Sequence, residues 1–158
     1  MMKKLATGLA AVAATSALAL ALPSAASAST ADSDSWGPVY SQHYQAKASG
    51  WVSVDWADDD HESNTITVRG KLWDLDNRSY DEGGKCAYVK FQASDFDDNW
   101  STVYTKKYCG YPAFKRFSFD SDDVSSLRVK VCQIDLHGSY PRNCGSWSSI
   151  YTGDSETE

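Results

Sequence analysis

The chain has no C-x-x-C pair, and its three histidines, His43, His61 and His137, show no ligand spacing. A zinc site built from paired cysteines and histidines is therefore not indicated. There is no G-x-S-x-G, no H-E-x-x-H and no recognisable triad order, so the signatures of an activated nucleophile or a metalloprotease are missing. Outside the first 28 residues there is no stretch of helical period, no fixed-period repeat, and no segment apolar enough to span a bilayer. Positive charge is also scarce: 15 Lys and Arg face 21 Asp and Glu, a net charge of −6. Such a surface repels phosphates, which argues against nucleic acids and anionic membranes as partners.

What is present starts with residues 1–28. Lys3 and Lys4 form a basic start, residues 5–22 an Ala/Leu-rich apolar run, and Pro23 breaks it before Ala26-Ser27-Ala28. This pattern predicts a secretory signal peptide cleaved near Ser29. A retained membrane anchor is the competing reading; it fits less well, because the run barely reaches spanning length and ends at a good cleavage site. Removing 28 of 158 residues leaves 130, enough for one domain, with 13 basic residues against 21 acidic ones and a net charge of −8. The expected layout is a disordered linker at 29–35, a single domain at 36–152 and a disordered acidic tail at 153–158. The expected protein is secreted, extracellular and monomeric, with no membrane span after cleavage.

All four cysteines, Cys86, Cys109, Cys132 and Cys144, lie in the exported part, which predicts two disulfides in an oxidising compartment. Residues 64–93 organise the rest. Ile66, Val68, Gly70 and Leu72 alternate with Thr65, Thr67, Arg69 and Lys71; after an acidic loop at 74–84, Ala87, Val89, Phe91 and Ala93 alternate with Cys86, Tyr88, Lys90 and Gln92. Both are strand patterns with one apolar face, read as a core hairpin. A third strand, residues 100–109, returns against the second. The register that sets Phe91 opposite Tyr104 and Ala87 opposite Tyr108 also sets Cys86 opposite Cys109, within bridging distance. Lys106 then falls on the apolar parity, tolerable near an edge where its stem can snorkel. Of the three possible connectivities, 86 to 109 and 132 to 144 are preferred, the latter because it closes a short local loop.

Further strands are expected at 36–48, at 51–56 after a break at Gly50, at 114–119, at 127–132 and, as a final edge, at 146–151. Seven or eight short strands separated by turn signals predict an all-β antiparallel sandwich with two disulfides. The layout, with Val68-Arg69-Gly70-Lys71-Leu72-Trp73-Asp74, Gly83-Gly84-Lys85-Cys86-Ala87 and Arg128-Val129-Lys130-Val131-Cys132, resembles the small secreted β-proteins of unknown function frequent in actinobacteria. That resemblance implies export and a stapled β-fold, and it carries no functional residues across.

Three kinds of chemistry have candidates. Acidic runs occur at 58–60, 74–82, 95–99 and 120–123, and Asp74, Asp76 and Asp81 offer hard oxygens for Ca2+ from one loop. An EF-hand is excluded, since Arg78, Ser79 and Lys85 stand where a ligand, the glycine and the bidentate Glu belong. Solvation alone accounts for most acidic turns, and no other cofactor is indicated. Six Trp and nine Tyr form the second signal. Trp73, Tyr80, Trp100, Tyr111 and Trp147 at strand ends are candidate stacking contacts, against the plainer expectation that aromatics fill a small core. Trp73, on the parity of Arg69 and Lys71, fits that plainer expectation least. For catalysis, Asp135-Leu136-His137 could orient an imidazole, His61 lies among carboxylates, and paired acids for glycoside hydrolysis are conceivable in so acidic a chain. The expectation is a non-catalytic extracellular domain that binds a protein or a cell-surface polymer such as a glycan through loops at one end of the sandwich. The alternative is a small secreted hydrolase using loop carboxylates.

Overall fold

Period-2 alternation builds eight strands: β1 (Ser33–Tyr40), β2 (Ala46–Trp56), β3 (Asn64–Asp74), β4 (Cys86–Ser94), β5 (Trp100–Tyr108), β6 (Phe114–Asp122), β7 (Ser126–Ile134) and β8 (Ser148–Thr152). The computed structural model describes residues 33–57 and 63–153. The expected signal peptide, residues 29–32, the acidic run at 58–60 with His61 and Glu62, and residues 154–158 lie outside the described residues. The strands form two antiparallel four-stranded sheets, ordered β1-β2-β3-β6 and β5-β4-β7-β8, here the first and second sheets. Among the described residues no helix is long and apolar enough to cross a membrane.

The apolar parities face each other between the sheets. Ile66, Val68 and Leu72 of β3 and Ala87, Val89 and Phe91 of β4 are fully buried, with Leu127, Val129 and Val131 of β7 beside them. At the centre Phe91 meets Trp36 edge-on at 5.6 Å and Phe119 at 4.9 Å, and Tyr104 stacks on Phe119 at 4.5 Å. Both cysteine pairs close as expected: Cys86 with Cys109, Cα atoms 4.4 Å apart, and Cys132 with Cys144.

Several local expectations need correction. Residues 64–93 are not a hairpin. β3 is interior to the first sheet and β4 to the second, so residues 75–85 carry the chain from one layer to the other. Two strands with similar apolar faces can pair edge to edge or pack face to face, and parity alone does not choose between them. Residues 36–48 are likewise not one strand. The Ser41 hydroxyl accepts the Ala46 N–H at 2.9 Å, and His43 and Tyr44 adopt positive φ (61° and 57°), turning β1 back onto β2. β1 begins at Ser33, three residues before Trp36, because Ser33, Asp34 and Ser35 pair with Ser53, Val52 and Trp51.

Gly50 does not break a strand. It lies within β2, flanked in one cross-sheet row by Trp36 and Gly70, with Phe117 beyond. A Cβ at Gly50 would lie 2.0 Å from the Arg69 carbonyl oxygen, and one at Gly70 would lie 2.5 Å from the Phe117 ring. The glycine pair makes room for Trp36 and Phe117 to close over it from both sides, their centroids 6.3 Å apart. Asp120 and Asp122 are also in a strand rather than a loop, accepting the Thr67 and Thr65 hydroxyls at 2.7 Å across the β3–β6 pair.

Candidate functional site

Each end of the sandwich is closed by a buried side-chain network. At one end the Asn64 carboxamide accepts the Val124 N–H at 2.8 Å and donates to the Val124 carbonyl at 2.9 Å, fastening the β6–β7 turn. At the other end Asp76, 3% exposed, accepts both Nε and Nη2 of Arg78 at 2.8 Å, the Lys85 N–H at 2.9 Å and the Gln133 carboxamide at 3.1 Å. Gln133 in turn accepts from Asn143 at 2.9 Å. The Arg78 guanidinium is the largest influence on Asp76 and brings its pKa down to about 2. Asp74, 4% exposed, accepts the Asp76 and Gly110 N–H groups at 3.1 and 3.0 Å; burial raises its pKa more than those bonds lower it.

These contacts define what the calcium candidates do. Asp74 and Asp76 are brought together, but their oxygens are acceptors for backbone N–H groups, a guanidinium and a carboxamide. Asp81 lies apart, in an exposed 3-10 turn (Tyr80–Glu82) braced by Ser79 and Glu82. Among the described residues no group of three or more His, Cys, Asp or Glu converges. The Asp135 carboxylate is bound by the Lys85 ammonium, which lowers its pKa. It therefore has a partner other than His137, whose ring meets the edge of Tyr80 at 5.8 Å.

The aromatic candidates separate. Tyr80 and Tyr111 are exposed at the loop end, 57% and 52%. Trp100 lies on the outer face of the second sheet for a reason that parity misses. A bulge at Val103 lets Phe91 pair with Tyr104 but Gln92 with Thr102, so the inward and outward positions of β5 exchange at that point. There the Arg128 guanidinium lies 3.9 Å from the Trp100 centroid and 4.6 Å from that of Trp147, and it donates to Gln92 at 2.8 and 3.1 Å. This cluster fills its own contacts and clasps β5, β4 and β7 together.

Trp73 belongs to a different arrangement, on the outer face of the first sheet. Three successive cross-strand rows there read Lys47, Trp73, Phe114; then Ser49, Lys71, Arg116; then Ser35, Trp51, Arg69, Ser118. Rows on one face are about 7 Å apart along the strands. Lys47 lies 4.6 Å over the Trp73 ring, and Phe114 is flanked by Lys71 at 4.8 Å and Arg116 at 5.4 Å. Trp51 is 58% exposed and is the ring of this face without a ring or cation partner among the described residues. Over the glycine saddle these residues border a groove of about 870 Å³, lined by Trp51, Arg69, Lys71, Trp73 and Arg116 with Trp36 and Phe117, and by no carboxylate. The next rows along the same strands carry Thr67 with Asp120 and Thr65 with Asp122, so the face is basic at one end and acidic at the other.

Of the residues singled out from sequence, Trp73 alone lines this groove. Trp51, Arg69, Lys71 and Arg116 were missed, although all stand on the outward parity of their strands. Parity assigns a face; it does not say which strands lie side by side. No family model, no curated protein and no solved structure matches this chain.

Proposed function

We propose that this chain is exported through residues 1–28 and acts as a non-catalytic binding domain that engages a cell-surface polymer through the outer face of its first sheet. The observation that carries this is the groove over Gly50 and Gly70, where the outward-facing Trp51 and Trp73 and the cations Arg69, Lys71 and Arg116 line one concavity. Trp51 is exposed and Trp73 half-buried, and aromatic rings beside polar groups suit the apolar faces and hydroxyls of a carbohydrate surface. Asp76, Gln133 and Asn64 hold the loops at the two ends of the sandwich, one of which was the expected place of binding. Two disulfides suit an oxidising compartment. Hydrolysis of a glycosidic bond by paired carboxyl groups would require two acids flanking that bond, and the groove lining supplies none.

Cosedimentation of the mature chain with insoluble cell-surface material tests the proposal. Trp51→Ala together with Trp73→Ala is expected to abolish retention, each lost ring contact weakening binding by about 1 kcal/mol or more, while the melting temperature changes little. Retention unaffected by the double substitution would overturn it.

A further inference from the structure

We infer that the groove takes a carboxylate-bearing polysaccharide, its sugar rings on Trp51 and Trp73 and its carboxylates on Lys71, Arg116 and Arg69; this rests on the binding face proposed above.

The charge pattern selects an anion. Lys71 and Arg116 are direct cross-strand partners, an arrangement that is destabilising when both charges have the same sign. Two salt bridges form among the described residues, Arg78 with Asp76 and Lys85 with Asp135, and neither involves Lys47, Arg69, Lys71 or Arg116. In a chain with 21 acids and net charge −6, four cations on adjacent rows without a carboxylate partner are a local inversion of the overall charge. The repulsion between them is relieved when an anion lies across the row.

The rings select a sugar rather than a bare polyanion. Along the strands the face alternates an aromatic row with Trp73, a cationic row with Lys71 and Arg116, and a row holding both Trp51 and Arg69. Successive rows are about 7 Å apart, so a polymer running with the strands meets a flat apolar platform and a charge in turn. Inorganic polyphosphate has no apolar face to set on an indole, and a neutral glucan brings no negative charge to the cations.

The test is titration of the mature chain, followed by Trp fluorescence, with three soluble probes: polygalacturonate, the same polymer with its carboxylates methyl-esterified, and inorganic polyphosphate. Polygalacturonate is expected to bind and to quench, with affinity falling as salt rises. Esterification is expected to abolish binding, and polyphosphate to bind at least about tenfold more weakly for want of ring contacts. Lys71→Gln with Arg116→Gln is expected to weaken polygalacturonate binding by about tenfold or more, as loss of charge-assisted contacts does. Lys90→Gln, on the outer face of the second sheet, should leave it unchanged. Equal binding of the esterified polymer would overturn the inference while leaving the binding face intact, and equal binding of polyphosphate would overturn its saccharide part. No binding of any probe would also overturn the inference, and the cosedimentation result with Trp51 and Trp73 would decide separately whether the face binds at all.

Discussion

Asp76 accepts from five donors, the N–H, Nε and Nη2 of Arg78, the N–H of Lys85 and the Nε2 of Gln133. Its pKa falls from 3.8 to about 2, so its contribution to stability is complete above pH 3.8 and is lost as pH falls through 2, an amount of about 2 kcal/mol. Asp74 has the opposite sign: its pKa is raised, so its protonation begins to favour the folded state at a pH where Asp76 is still ionised. Asp76→Asn is expected to lower stability at neutral pH by about 2 kcal/mol and to flatten the acid limb of a denaturation profile taken between pH 4 and 2. An acid limb of unchanged steepness would show that Asp76 does not control it. In sequence these two aspartates are indistinguishable from metal ligands. Their partners in the fold include Gln133, 57 positions away from Asp76, and backbone donors, which no side-chain pattern announces.

At the scale of strands, β4 and β5 were the most legible part of the chain, because two independent constraints, the apolar parity and the cysteine pair, demand one register. It holds from Ala87 opposite Tyr108 to Phe91 opposite Tyr104, and Lys106 is accommodated because β5 is an edge strand. Beyond that point the bulge at Val103 reverses the parity, and nothing in Trp100-Ser101-Thr102 signals it. The Cys86–Cys109 bond closes a separation of 23 residues, and chain-entropy reasoning gives such a loop about 3 kcal/mol. Replacing both cysteines by Ala is expected to lower the free energy of urea unfolding by about that amount, with the far-UV spectrum preserved. A loss under about 1 kcal/mol would mean that the pairing of β4 and β5 already restricts the unfolded chain.

The whole molecule separates its charges more than its composition implies. Lys47, Arg69, Lys71 and Arg116 stand together on three rows of one face, while Asp120 and Asp122 occupy the far end of that face. With a net charge of −6, self-repulsion is the dominant long-range term, so raising sodium chloride from 10 to about 150 mM, which shortens the screening length from about 30 to 8 Å, is expected to raise the melting temperature. A fall would place the weight on local ion pairs instead. The fold class was readable because the strands share a two-residue period, interrupted at bulges in the β1–β2, β4–β5 and β7–β8 pairs, and the layer to which each strand belongs was not. Whether β3 pairs with β4 or packs across from it depends on the connection at 75–85, whose course is decided by Asp76 and its distant partners.

Both covalent links staple the second sheet and its loops: Cys86 opens β4, Cys109 follows β5, Cys132 is in β7, and Cys144 lies in the segment leading to β8. The first sheet has none, and its outer strand β1 is joined to the remainder by hydrogen bonding to β2 and by Trp36 in the core. The two halves should therefore breathe unequally. In native-state hydrogen exchange, amides of β4 and β7 are expected to open only with global unfolding, and those of β1 and the adjoining side of β2 through a cheaper partial opening. Uniform protection across both sheets would contradict this. The half that carries the groove is then the half able to yield, so an extended chain laid along it could be gripped by a small adjustment of β1 while the stapled half holds its shape.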